Sequence, residues 1–168
     1  MIAYQIGAMQ ACASLAGTKV TYVKAHGALG NLVNEERGFA EALGRAIKGV
    51  DGSLGYMTMP GRPSQEVADE MGLSSISEVF ADRAYEDDGQ LVSRKKPGAV
   101  LHDAEEAAQR VLAMVKEQTI TSIHGTRIPA KIDTICVHGD GATAVAMARR
   151  VREVLEAAGV AIKPFEVK

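Results

Sequence analysis

An alternation between extended and helical patterns constrains the fold of this chain more than any other feature. Runs of β-branched and apolar residues predict strands, and apolar residues that recur every three or four positions predict helices. The predicted strands cover residues 18–24, 53–59, 76–81, 120–123, 131–138 and 160–163. The first predicted helix begins at Met1 and ends before Gly17, and the others cover residues 35–48, 64–71, 103–116 and 141–158. Strands that alternate with helices indicate a parallel α/β architecture, either a barrel or an open sheet.

Length and composition predict one globular domain over residues 1–168. Lys and Arg number 19 and Asp and Glu number 21, and this net charge of −2 argues against nucleic-acid binding. No apolar run approaches the roughly 20 residues that span a bilayer, so we expect no membrane association. Two cysteines without a CxxC motif are typical of a reduced protein, and we expect a cytoplasmic location.

Polar residues follow three of the predicted strands at or just beyond their carboxyl ends. They are Lys24, His26, Asp82, Arg83, His138 and Asp140. The carboxyl ends of parallel strands share one face of a sheet, so we expect these side chains to cluster. Two histidines and two carboxylates suit general acid–base catalysis near neutral pH, or a metal. The two cations could hold a substrate carboxylate or a developing oxyanion.

Structural roles remain open for each of these residues. A histidine at a strand end is often only a structural hydrogen-bond donor, Asp140 could cap the helix that follows it, and Asp82 could pair with Arg83. Asp103 and Ser64 are predicted N-caps of their own helices. The long polar loop 82–98 is interpreted as a substrate-covering or subunit-contact loop, with a solvated excursion as the alternative.

Three segments of the chain together resemble one family. Residues 23–31, VKAHGALGN, are similar to its VKPHGALYN, and residues 80–94 are similar to its FADRxYxxDGxLVxR. Residues 133–140, DTICVHGD, match its third motif. From about Tyr4 to the C-terminus, the sequence resembles the LamB/YcsF group, the family of the 5-oxoprolinase A subunit. It departs from the motifs at Ala25 and Gly30, where the family usually has Pro and Tyr.

The resemblance implies an α/β fold, an incomplete distorted (β/α) barrel of the glycoside hydrolase and deacetylase type. It implies hydrolytic opening of the 5-oxoproline lactam to L-glutamate, coupled to ATP by the partner subunits B and C. ATP is expected to act through that complex, because the chain has no recognisable ATP-binding loop, and a metal is left undecided. The resemblance implies His26, His138 and Asp140 as catalytic residues. Those implied to bind substrate are Lys24, Asn31, Asp82 and Arg83, with Asp82 orienting Arg83 or a histidine.

The family's N-terminal motifs, which are DLNCDLGE-like, ACGFHAGD-like and GAHPxxxD-like, are not found in this sequence. We therefore expect a C-terminal portion of the barrel, which self-associates or takes the missing strands from another chain. Two other interpretations are open. One is a catalytically incomplete fragment or half-gene product, and the other is a metal-dependent deacetylase or amidohydrolase of different specificity.

Overall fold

The computed structural model of the protein describes residues 1–164, which form two compact units. One unit begins at Met1 and ends at Ser77, and the other begins at Glu78. The division falls inside a strand, so this strand contributes residues to both units. That residues 1–168 form a single domain stays a prediction.

The first unit carries parallel strands and four helices. The helices are α1 (Ile2–Leu15), α2 (Gly27–Glu35), α3 (Arg37–Asp51) and α4 (Pro63–Glu70), and the strands are β1 (Tyr22–Val23), β2 (Gly55–Thr58) and the first half of β3 (Ser75–Phe80). In register, Val23 of β1 lies beside Tyr56 of β2, and Tyr56 lies beside Ser75 of β3. The strands pack against the apolar faces of α3 and α4, where Ile47 and Val67 are fully buried.

The second unit continues the same alternation. It contains the second half of β3, α5 (Ala104–Glu117), β4 (Thr119–Thr121), β5 (Arg127–Pro129), β6 (Thr134–Cys136) and α6 (Ala144–Ala157). β3 pairs with β6 in parallel, with Phe80 beside Cys136, whereas β4 and β5 form a small antiparallel pair. The core joins α5 and α6 to the strands through Val111, Met147 and Val151. The predicted parallel arrangement of strands and helices is therefore confirmed.

Several local predictions are wrong, each for a physical reason. Ser64 does not cap α4, because Pro63 takes the first helical position and Arg62 becomes the N-cap. Residues 27–35 form α2, where no helix was predicted, because two glycines weaken the helical pattern there. Residues 160–163 form no strand, since no neighbouring strand within residues 1–164 pairs with them.

Helix α1 differs from the other helices in how it meets solvent. It contains no charged residue, and Ile6 is its only residue that is fully buried. Tyr4 is 80% exposed and Leu15 is 91% exposed. A helix of this apolar composition is usually buried on all sides. Helix α1 instead presents an apolar surface to solvent. None of the helices in residues 1–164 combines the length and the apolar character needed to cross a membrane.

Candidate active site

Asp82 and His138 form the most closely organised polar pair of the predicted set. Asp82 follows β3 and His138 follows β6, and these strands are parallel neighbours, so both side chains leave adjacent carboxyl ends. Nδ1 of His138 lies 2.8 Å from both carboxylate oxygens of Asp82. A carboxylate only accepts hydrogen bonds, so the proton on the ring belongs on Nδ1. Nε2 is then the nitrogen that can exchange a proton with another group.

The Asp82–His138 pair is largely buried but remains accessible to water. The side chain of Asp82 is 12% exposed and that of His138 is 26% exposed. The Phe80 ring stacks on the imidazole, with centroids 5.6 Å apart and planes inclined by 16°. Ala81, between Phe80 and Asp82, faces the opposite way into the core beside α5 and α6. Strand alternation thus directs Phe80 and Asp82 away from the helices and toward His138.

The loop after β3 is ordered by hydrogen bonds rather than left in solvent. Arg83 bridges to Val100 and Tyr85 bridges to Leu91, which folds residues 82–98 back on themselves. Tyr85 is completely buried, and its hydroxyl accepts a hydrogen bond of 2.7 Å from the Phe80 N–H. Burial raises the pKa of Tyr85, so the phenol stays neutral. The alternative interpretation, in which this loop merely extends into solvent, is therefore wrong for its first half.

Arg83 contacts the loop in this structure. It is 6% exposed, and its Nη2 donates to the Val92 carbonyl at 2.7 Å. Within residues 1–164, its Nε has no hydrogen-bond partner. Burial lowers the pKa of the Arg83 guanidinium, the charge of Arg94 lowers it further, and Asp82 partly offsets both. Its predicted contact with substrate stays a prediction.

Asp140 lies on the exposed turn after His138. The nearest cation is Arg94, whose Nη1 lies 3.8 Å from the carboxylate, and both side chains are more than half exposed. Asp140 does not cap a helix, because α6 begins at Ala144 and Thr143 is its N-cap residue. That structural alternative is wrong, and a catalytic role for Asp140 stays a prediction.

The remaining predicted residues belong to the first unit. Lys24 and His26 follow the carboxyl end of β1, where His26 is the exposed N-cap residue of α2. Asn31 lies on α2 and is exposed. Arg62, which sequence reasoning did not select, follows the parallel neighbour β2, and its Nε donates to the Asn34 carbonyl at 2.9 Å. Clustering of all six strand-end residues stays a prediction.

Glu78 is a second residue that sequence reasoning missed. It is 6% exposed and lies within β3, two residues before Phe80 and therefore on the same face of the strand. A carboxylate is rarely buried in this way unless it has a function or a specific partner. The sequence does carry a signal, because Glu78 is the one charged residue of the strand SISEVF.

The comparison with known families decides the identity of this fold. The LamB/YcsF family matches residues 1–168. The chain belongs to the LamB/YcsF family. It is 52% identical over 163 residues to the A subunit of 5-oxoprolinase from Gluconobacter oxydans strain 621H, covering 97% of this chain and 64% of the relative. It is 53% identical over 165 residues to the corresponding A subunit from Rhodopseudomonas palustris strain CGA009, covering 98% and 65%.

A solved structure supports the same conclusion. The lactam utilization protein from Thermus thermophilus is similar with a TM-score of 0.89 and 39% sequence identity, over 98% of this chain and 65% of that protein. The resemblance drawn from the motifs and the parallel α/β fold it implies are thus confirmed. The chain spans slightly less than two thirds of the length of these LamB/YcsF relatives.

The LamB/YcsF motifs lie at the carboxyl ends of strands. VKAHGALGN runs from β1 into α2, FADR runs out of β3, and DTICVHGD contains β6. The two departures from the motifs are neighbours in space, since a Cβ at Gly30 would lie 3.1 Å from the Ala25 carbonyl oxygen. Among residues 1–164, no three His, Cys, Asp or Glu side chains are grouped so that they could hold a metal ion.

Proposed function

We propose that this chain acts in the A subunit of a cytoplasmic 5-oxoprolinase, which opens the lactam of 5-oxoproline to L-glutamate. The observation that carries the proposal is the Asp82–His138 pair, formed by two LamB/YcsF motifs at the ends of adjacent strands. Two supporting facts are the names of the relatives, which are A subunits of 5-oxoprolinase, and of the solved neighbour, a lactam utilization protein. The word subunit in those names supports a multi-subunit enzyme.

The reaction asks for a group that moves protons at near-neutral pH. Water attacks the lactam carbonyl carbon, the C–N bond breaks, and the ring nitrogen takes up a proton as the amino group of glutamate. Nε2 of His138 accepts a proton from the attacking water and passes it to the departing ring nitrogen, while Asp82 holds Nδ1–H and stabilises the charged imidazole between the two transfers. A placed histidine of this kind contributes about 10²- to 10⁴-fold to a rate.

The substrate carboxylate and the oxyanion both call for positive charge. Lys24 and Arg83 are proposed to meet these charges, and Asn31 is proposed to complete the substrate contacts. His26 and Asp140 are proposed to act with His138 in proton transfer. The exposed Arg94 adds a further cation on the His138 side, through its contact of 3.8 Å with Asp140. ATP is proposed to be bound by partner subunits B and C, which activate the lactam before this subunit opens it.

The test is an assay of glutamate release from 5-oxoproline and ATP, with the chain combined with partner subunits from one of its relatives' organisms. His138→Gln and Asp82→Asn are expected to lower kcat by about 10²-fold or more. His102→Gln is the matched control, because His102 is exposed and lies outside the motifs. Equal activity of His138→Gln and the unmodified chain would refute the proposal, and so would hydrolysis of N-acetyl substrates in place of the lactam.

A further inference from the structure

We propose that Arg110, on α5, is a positioning residue that holds both members of the Asp82–His138 pair in place. The inference rests on the proposed function, because positioning matters to catalysis only if the pair is used. Arg110 lies outside the three LamB/YcsF motifs and is partly buried. Its contacts lead to the pair along two separate paths.

The first path runs through the backbone to Asp82. Nη1 of Arg110 donates to the Arg83 carbonyl at 2.6 Å. The preceding carbonyl, that of Asp82, accepts a hydrogen bond of 2.9 Å from the Leu101 N–H. Two consecutive carbonyls, those of Asp82 and Arg83, thus accept hydrogen bonds. One donor lies on the segment before α5 and the other on α5 itself. This fixes the direction in which the Asp82 side chain leaves the chain.

The second path runs through aromatic rings to His138. The guanidinium carbon of Arg110 lies 5.4 Å from the centroid of the Tyr85 ring. The Tyr85 hydroxyl accepts from the Phe80 N–H at 2.7 Å, and the Phe80 ring stacks on the imidazole of His138. Loss of the guanidinium therefore loosens the Tyr85 ring, then the backbone at Phe80, and then the surface on which His138 rests.

The shape of the arginine side chain suits it to make both contacts at once. Its planar group donates a hydrogen bond in the plane and stacks on a ring through its face. Lysine carries the same charge, but as a single point on a flexible stem, so it can keep the carbonyl contact and lose the ring contact. The two substitutions Arg110→Lys and Arg110→Ala therefore separate charge from geometry.

The experiment follows the His138 ring directly. In the full chain labelled with ¹⁵N-histidine, the Nδ1–H that is bound to Asp82 gives a strongly downfield proton resonance. We expect Arg110→Ala to broaden or remove this resonance and Arg110→Lys to retain it at a shifted position. Arg150→Ala is the matched control, because the Arg150 side chain on α6 pairs with Glu105 of α5 at 2.5 Å in solvent-exposed surroundings. We expect the control to leave the resonance unchanged.

Turnover in the assembled enzyme gives the second readout. We expect Arg110→Ala to lower kcat by about 10- to 100-fold with KM changed by less than about twofold, and Arg110→Lys to recover part of the loss. An Arg110→Ala chain that is folded and keeps both the resonance and kcat would overturn the proposal. If Arg110→Ala does not fold, Arg110→Lys decides instead: a shifted resonance with a reduced kcat supports the proposal, and an unshifted resonance with an unchanged kcat overturns it.

The two proposals fail in different ways. If the unmodified chain and its partners open no lactam, the proposed function fails, and the resonance alone still decides whether Arg110 positions His138. If the unmodified enzyme is active and loses activity in His138→Gln but not in Arg110→Ala, the proposed function stands and the role of Arg110 is refuted.

Discussion

The hydroxyl of Tyr85 offers a direct measure of how tightly the loop after β3 is held. Tyr85→Phe removes one oxygen from a completely buried residue and leaves the ring under Arg110 in place. The Phe80 N–H loses the acceptor that lies 2.7 Å away. Losing a buried hydrogen-bond partner costs about 1–2 kcal/mol. With a urea slope of about 2 kcal/mol per M, the denaturation midpoint should fall by about 0.5–1 M.

The pH dependence of this loss has a definite sign. Burial raises the pKa of Tyr85 in the folded chain, whereas the unfolded value is about 10. The stabilisation is therefore complete below pH 10 and declines as the pH rises above it, because only the unfolded chain ionises there. The difference between Tyr85→Phe and the unmodified chain should shrink in that range.

Urea denaturation followed by circular dichroism, with hydrogen exchange at the Phe80 amide, measures both effects. Tyr4→Phe is the matched control, since the Tyr4 ring is 80% exposed and its loss of a hydroxyl should change the midpoint by less than about 0.2 M. An unchanged midpoint and unchanged Phe80 exchange in Tyr85→Phe would show that the hydroxyl does not hold the loop.

Three further predictions concern the helices and the assembly. Asp103→Ala should destabilise the chain by about 1 kcal/mol, because Asp103, the N-cap of α5, accepts a hydrogen bond of 2.8 Å from the Glu106 N–H. His102→Ala is the control. Equal urea midpoints of Asp103→Ala and the unmodified chain would contradict the capping role. The exposed apolar side chains of α1 should make the chain self-associate. The double substitution Tyr4→Ser and Leu15→Ser should weaken this association about tenfold or more, as measured by sedimentation. A monomeric unmodified chain would disprove the prediction. The chain without partner subunits should release no glutamate from 5-oxoproline and ATP, because nothing activates the lactam carbonyl; robust turnover by the chain alone would refute this.

Sequence reasoning located the ends of the strands but not the side-chain contacts that support the residues at those ends. The pattern of strand, polar residue and glycine was enough to select Asp82 and His138, because backbone periodicity fixes which residues leave a strand end. It could not select Tyr85 or Arg110. Their contact joins a loop to a helix 25 positions along the chain, and such contacts depend on packing that no local pattern records.

The errors at helix starts have a different origin. Ser64 looked like a cap because serine is favoured there, yet Pro63 has no N–H and a fixed φ, so it fits the first helical position better. Asp103 was predicted correctly because no proline competes with it. Asp140 failed as a cap because the glycine-rich turn after it delays the helix to Ala144.

Glu78 has a consequence for the unfolded chain as well as for the folded one. The segment SISEVF has the β-branched and aromatic character of sequences that stack into fibrils, and Glu78 supplies its only charge. In a fibril with identical strands in register, that carboxylate would recur about every 4.8 Å along the axis, next to its own copies. Such repulsion disfavours stacking. In the folded protein, the Glu78 carboxylate is buried on the face of β3 that carries Phe80. In the newly made chain, while β3 is still unpaired, the same carboxylate therefore protects against aggregation.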